Sequence, residues 1–214
     1  MKVWILIFVC MFSMPLLVAV LHFRMRKGQI LKIRQDYVKN ARYFGRSFSA
    51  LVEKALPEMK NGMIMLSRQE KVLETDGKQE FVQPEIEDLI IARNTIFCPQ
   101  QEDLHFQKEI YSEKDALFVK ENIRLRAVYS KKRLLFGNKI RLLRWADAEH
   151  AVAVYDECDL GERVSSGEQL VIGFDNIFHS LYAPVIRLGQ RPEELDRFME
   201  ERDPRIFRMQ IGRA

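Results

Sequence analysis

The sequence predicts a mainly β chain organised as a parallel β-helix (solenoid) of 18-residue coils. An N-terminal transmembrane helix and a small α+β lead-in precede the solenoid, and a short C-terminal helix follows it. Three observations carry the prediction: an apolar run near the start, apolar columns that recur every 18 residues in the second half, and unevenly placed charge. The expected boundaries are 1–23 for the anchor, 24–56 for a basic juxtamembrane segment with an amphipathic helix, and 57–95 for the lead-in. The solenoid takes 96–190, and the C-terminal helix and tail take 191–214. A chain of 214 residues suits one sizeable domain with an appendage. Its 47% hydrophobic content excludes collagen-like and disordered chains.

Val3 to Phe23 holds no Asp, Glu, Lys or Arg. A hydrocarbon core about 30 Å thick needs roughly 20 apolar residues of helix, so this run is long enough to span it. A cleaved signal peptide would have a shorter apolar core, a more basic start and a small-residue cleavage site. Here only Lys2 precedes the run, and Arg24-Met25-Arg26-Lys27 follows it. Lys and Arg favour the cytoplasmic side, so the expectation is a single-pass inner-membrane protein with the bulk of the chain in the cytoplasm. Arg24, Arg26, Lys27, Lys32 and Arg34 are the expected contacts with anionic lipid headgroups.

The whole-chain charge of +4 hides this asymmetry. From Arg24 to Ala50 there are eight basic residues and one acid, Asp36, and with Lys2 the membrane-proximal part carries +8. The remainder, from Leu51 onward, therefore carries −4, which removes the case for a generally basic, nucleic-acid-binding body. Three cysteines (Cys10, Cys98, Cys158) with no C-x-x-C pair make neither a disulfide framework nor a zinc knuckle.

Between about Asp36 and Leu56, Tyr37, Ala41, Phe44, Phe48, Leu51, Val52 and Ala55 recur at helical spacing, with Pro57 near the end. Such an amphipathic helix can lie on a membrane surface or pack against the rest of the fold. Short β-leaning runs follow at 63–66, 71–73 and 88–91. Turn-like Asn61-Gly62 and Asp76-Gly77 separate them.

The solenoid prediction rests on rows of 18 beginning at Ile110, Val128, Ala146, Val164 and Tyr182. Position three is small (Ser112, Ser130, Ala148, Ser166, Pro184). Position seven is apolar (Ala116, Leu134, Val152, Leu170, Leu188), and so is position nine (Phe118, Phe136, Val154, Ile172). Position fifteen reads Arg124, Leu142, Leu160, Phe178, and no gap is needed. A turn too short to bury its own apolar side must stack on identical turns, so these columns become internal ladders. Gly137, Gly161, Gly167 and Gly173 suit corners that need unusual backbone angles. The competing reading is a β-sandwich or meander with accidental spacing. Eighteen residues are three hexapeptides, compatible with a left-handed coil, and are also the turn length of some right-handed ones.

Segments such as Glu109-Ile110-Tyr111-Ser112, Leu143-Arg144-Trp145-Ala146-Asp147-Ala148 and Leu181-Tyr182-Ala183-Pro184-Val185, set in these rows, resemble the bactofilin family of polymer-forming bacterial cytoskeletal proteins. The resemblance covers residues about 92–190. It implies a right-handed three-sided β-helix, nucleotide-independent polymers, membrane association, and roles in cell shape or envelope polysaccharide assembly. Sparser glycine, very basic early rows and the long lead-in depart from the family pattern.

An enzyme reading competes with it, because hexapeptide-repeat helices often serve as acyltransferases with a His general base. The candidates His105, His150 and His179 have no recurrent partner, and neither G-x-S-x-G nor a phosphate-binding glycine loop occurs. The expectation is a chain with no catalytic, cofactor or metal residues. The alternative is a hexapeptide-type acyltransferase-like enzyme acting on envelope precursors.

Charge along the rows points to self-association. Arg124 to Arg144 holds eight basic residues and no acid, whereas Trp145 to Asp175 holds eight acids and one base. Arg124, Arg126, Arg141 and Arg144 on one side, and Asp147, Glu149, Asp156 and Glu157 on the other, are the expected complementary contacts between copies. A heterologous contact of that kind does not close and makes filaments. The segment from Arg191, with Pro192 and three acids in its first half, reads as a helix that could cap the last coil. The expected partners are the membrane, further copies of the chain and envelope-synthesis proteins, with no nucleic acid.

Overall fold

β-Runs divided by tight corners stack in parallel register in the computed structural model, which describes residues 2–25, 40–75 and 77–190. The chain divides into two compact units, 1–35 and 36–214. In the first, α1 (Lys2–Met25) is a 24-residue helix with Pro15 inside it. Among the described residues no helix is identified as long and apolar enough to cross a membrane. That finding stands against the composition of α1, whose Val3–Phe23 stretch has no charged residue, and much of whose side-chain detail lies outside the described residues.

The second unit opens with α2 (Tyr43–Ala55) and a 3₁₀ turn (Leu56–Glu58), where Pro57 ends the helix. β1 (Met63–Met65) and β2 (Gln69–Thr75) form an antiparallel pair. Asn61 and Gly62, both at positive φ (52° and 69°), make the tight turn that leads into β1. After β2 every paired strand is parallel. β3 (Lys78–Gln79) pairs with β6 (Cys98–Pro99), and β4 (Glu85–Ile86) with the start of β7 (His105–Ser112). One sheet runs β2, β5 (Leu89–Ala92), β7, β9 (Arg124–Ser130), β11 (Arg141–Ala148), β13 (Arg163–Ser166) and β15 (Leu181–Tyr182). A second runs β8 (Ala116–Phe118), β10 (Leu134–Phe136), β12 (Ala151–Val154), β14 (Gln169–Ile172) and β16 (Val185–Leu188). A third face consists of the first residues of β7, β9 and β11, extended by the bridges Arg141↔Asp159 and Asp159↔Ile177.

The chain is therefore a parallel β-solenoid, and the predicted inner columns form its core. Ile110, Val128, Ala146 and Val164 are in register and fully buried, as are Phe118, Phe136 and Val154 in the second sheet. Burying each large side chain is worth roughly 1.5–3 kcal/mol, summed along ladders that no single coil could bury alone. The column of small residues works as expected. Ser130 and Ser166 are fully buried, and each hydroxyl donates to a carbonyl of the preceding coil, Ser130 to Lys114 O at 2.7 Å and Ser166 to His150 O at 2.6 Å.

Four details differ from the sequence expectation. The stack already contains β2 and β5, so it begins at Gln69, inside the stretch assigned to a separate lead-in. Leu73 pairs with Ile90, and Ile90 with Ile110, at spacings that no 18-residue frame reveals. The fifth row also slips. Val164 pairs with Leu181 and not Tyr182, and Leu170 pairs with Ile186 and not Leu188, because the last coil is shorter at two corners.

The exception Arg124 has a cause as well. β9 has only Arg126 where β11 has Leu143 and Arg144, so Leu125 takes the inner place beside Leu142 and Arg124 turns outward. An extra residue in the preceding corner cancels this deletion and keeps the row at 18. Finally, Gly137, Gly167 and Gly173 do not have positive φ. A Cβ on Gly137 would lie 2.7 Å from Val119 O, and one on Gly167 2.0 Å from Glu149 O, so crowding by the neighbouring coil selects glycine there. The left-handed corner is instead a ladder of Asp103, Asn122, Lys139, Glu157 and Asp175, with φ between 53° and 60°. The expected C-terminal helix lies outside the described residues.

Candidate functional site

Three surfaces of the solenoid unit carry the residues that the sequence singled out. The first is the outer face of the long sheet, where Ile91, Tyr111, Tyr129 and Trp145 point away from the core and are nonetheless buried. α2 covers them. Its Gly45, Ser49 and Val52 are buried, and Phe48 packs edge-on to Tyr111 and Trp145. Of the two roles open to the amphipathic helix, packing on the fold is the one observed.

Arg42, just before α2, locks it in place. Its Nε and Nη2 donate to the two carboxylate oxygens of Asp147 at 2.8 and 3.0 Å, Nη2 also to Ala148 O at 2.9 Å, and Nη1 to Glu149 Oε2 at 3.1 Å. Ser165 Oγ donates to Asp147 at 2.6 Å, and the Tyr129 hydroxyl to Glu149 at 3.0 Å. Gly45 passes so close that a Cβ would sit 2.4 Å from Asp147 Cβ, so this turn of α2 must be glycine.

Burial pushes the Asp147 carboxyl above its ordinary value, against the hydrogen bonds that favour the anion. Burial also acts on Glu149, but its bonds from Arg42 and Tyr129 win and hold it below the carboxylate norm. Glu53 on α2 is likewise held low, against burial, by Ser49 and Lys131.

This arrangement corrects the charge reading. Asp147 is 1% exposed and, with Glu149, is committed within the chain to Arg42, so neither is presented to another copy. Arg126 and Arg144 both face Glu109, at 3.1 and 3.9 Å. Arg133 pairs with Asp115, and Lys139 with Glu121, each one coil earlier. Asp156 Oδ1 accepts from Phe174 N in the next coil at 2.7 Å, and Glu157 is exposed at the left-handed corner. Asp147, Glu149, Arg126 and Arg144 are thus paired inside the molecule, whereas Arg124, Arg141, Asp156 and Glu157 have no ion pair among the described residues. Sequence reasoning missed Arg42 because its partner stands 105 residues away. The available signal was an acid, Asp147, in a column that otherwise holds Tyr111, Tyr129 and Ser165.

The second surface is on the third face, where His105, Arg124 and Arg141 are register neighbours in successive coils. They line an open cleft of about 490 Å³ with Pro84, Glu85, Asp103 and Asn122. The third surface is the last coil. Ile177, Phe178, Tyr182, Val185, Ile186 and Leu188 are 40–63% exposed, although Leu160, Ser165, Leu170 and Ile172, the equivalents of Phe178, Tyr182, Ile186 and Leu188 one coil earlier, are buried. Of the expected lipid contacts, Arg26, Lys27, Lys32 and Arg34 lie outside the described residues, and Arg24 is in the last turn of α1 with its side chain outside them.

Elsewhere His150 Nδ1 is 2.6 Å from Glu168, and His179 is exposed. Burial pushes the Cys158 thiol up to about 12 and raises Cys98 as well, which makes both poor nucleophiles. Among the described residues no group of three or more His, Cys, Asp or Glu could hold a metal ion. No family model matches the chain, and neither a curated protein nor a solved structure matches it.

Proposed function

We propose that this chain is a membrane-anchored, non-enzymatic scaffold, similar in kind to the bactofilins, whose solenoid self-associates through its last coil and gathers partners for cell-envelope assembly. The observation that carries the reading is the unfinished C-terminal end. Ile186 and Leu188 occupy the same inward columns as Leu170 and Ile172, yet they are 42% and 57% exposed where the latter are at most 1% exposed. β15 and β16 also leave one strand edge each without a neighbour among the described residues. A free edge beside an apolar floor is a template for another chain. A second copy of this chain fits best, because its own last coil offers the same edge and floor. One open end per chain, among the described residues, favours an isologous, two-fold contact. Longer polymers then need a second contact elsewhere.

The anchor is supported by the sequence of α1 and by its side chains. Trp4, Phe8, Met11 and Leu17 are 56–76% exposed, an apolar surface that lipid would cover. At 1.5 Å per residue its length exceeds a hydrocarbon core about 30 Å thick. The basic residues that follow favour the cytoplasmic side for the rest of the chain.

The test is light scattering and electron microscopy of the full chain in mild detergent. Dimers or filaments that the Ile186→Glu/Leu188→Glu variant reduces to monomers support the reading. A monomeric parent overturns it, including one that oligomerises only when residues 191–214 are deleted, because that segment and not a second copy would then occupy the end.

A further inference from the structure

We propose that the cleft built on His105, Arg124 and Arg141 binds an acidic saccharide, a sugar bearing a phosphate or carboxylate group. Arg124 is the register partner of both His105 and Arg141, so two guanidinium-bearing strands lie side by side about 4.8 Å apart. Like charges directly opposite each other destabilise a sheet, and this fold relieves the repulsion at Arg133 and Lys139 by pairing each with an acid one coil earlier.

Here it does not. Among the described residues, neither arginine has a carboxylate within ion-pair distance, although Glu85 and Asp159 flank the column on either side. Glu85 Oε2 instead accepts from Gln107 at 3.3 Å, and Asp159 Oδ1 from Gly161 N at 3.2 Å. Two exposed, unpaired guanidinium forks on one wall of a cleft suit a phosphate or carboxylate, which they can hold by paired N–H bonds.

The remaining lining narrows the ligand. Glu85, Asp103 and Asn122 stand on the same cleft. Carboxylates would repel a ligand charged throughout, but they accept hydrogen bonds from hydroxyls, and the Asn122 amide both donates and accepts. An anion at one end of a polyhydroxylated body satisfies both halves of the site. The site is remote from the last coil in sequence and uses none of its residues, so it does not rest on the self-association reading.

The experiment is calorimetric titration of the full chain in neutral detergent with four probes: glucose 1-phosphate, galacturonate, maltotriose and inorganic phosphate. The expected result is that at least one acidic saccharide binds tenfold or more tightly than both maltotriose and phosphate. The tighter of the two acidic probes identifies the anionic group. Arg124→Gln/Arg141→Gln should weaken that binding at least tenfold while melting no lower than the parent, because it removes a like-charge pair. Lys114→Gln/Lys132→Gln, an equal charge change at exposed positions outside the cleft, should bind as the parent does. Equal affinity for maltotriose or for phosphate, no binding of either acidic probe, or undiminished binding by the double variant would overturn the proposal.

Discussion

At the N-terminal end of the coil stack, Phe81 lies over Phe106 with ring centroids 5.4 Å apart, and Phe106 lies against Phe97 and Phe118. The Gln101 side chain holds Phe81 there by accepting from its N–H at 2.8 Å and donating to its carbonyl at 2.7 Å. The antiparallel β1 covers the edge of β2. At the opposite end, Ile186 and Leu188 continue the inner columns into open space. A solenoid must finish both its apolar floor and its strand edges. This one spends an aromatic plug, an amide clamp and an added strand on one end, and among the described residues nothing equivalent on the other. The two ends are therefore finished differently among the described residues, which is the asymmetry on which the proposed association rests.

The sharpest way to break this comparison is to truncate one large side chain at each end. Phe81→Ala should cost about 3–5 kcal/mol, the usual range for a buried aromatic. Leu188→Ala, already more than half exposed, should cost less than about 0.5 kcal/mol in a monomer. Urea unfolding of dilute protein measures both, and equal losses would mean that the ends are equally finished.

A smaller effect tests the clamp alone. Gln101→Ala leaves the Phe81 N–H and carbonyl without these partners, at about 1–3 kcal/mol. Hydrogen exchange near Phe81 should then approach the rate expected for β15 and β16. An unchanged rate would remove the clamp from the account.

The covered middle offers a comparison with the open end. Gly45→Ala drives a methyl group into Asp147 and should cost about 1–3 kcal/mol. The loss should be concentrated in α2, exposing Tyr111, Tyr129 and Trp145 as a second apolar face. Stability within error of the parent would show that α2 has room to shift.

Acid should act in the same direction more weakly. Glu149 and Glu53 titrate below their ordinary value in the fold, so their contribution is present above about pH 4.5 and lost as the pH falls through their folded values. Asp147 opposes this in part. Its raised value favours the protonated form in the fold, a contribution present below about pH 3.8 and lost as the pH rises through the folded value. Arg42, Arg46, Lys131, Tyr111 and Tyr129 face these carboxyls from both sides. Hydrogen exchange corrected for intrinsic rate should show α2 loosening before the coils, and simultaneous loss would contradict it.

What the sequence made legible was whatever repeats. The inner columns at Ile110, Val128, Ala146 and Val164, and at Phe118 and Phe136, are fixed by the need of every coil to bury the same places. Length changes at corners hid the rest. His105 and Arg141 fall at position fourteen of their rows and Arg124 at position fifteen, so the cation column vanishes from an 18-residue frame. The first coils, with spacings of 17 and 20 between Leu73, Ile90 and Ile110, disappear for the same reason. The Arg42–Asp147 lock was illegible for a different reason. A buried ion pair has no period, and Arg42 counts as one more base in a basic segment until the fold brings it to its acid. Glycine was legible as a constraint but not as to cause, because crowding and positive φ leave the same letter in the sequence.

The most direct test of the central claim is the mass of the full chain in detergent across a dilution series, measured by light scattering for the parent and for Ile186→Glu/Leu188→Glu. The parent should form a concentration-dependent oligomer and the variant a monomer, with the two showing the same far-ultraviolet circular dichroism. A parent that stays monomeric throughout, or a variant that associates as tightly as the parent, would contradict the claim.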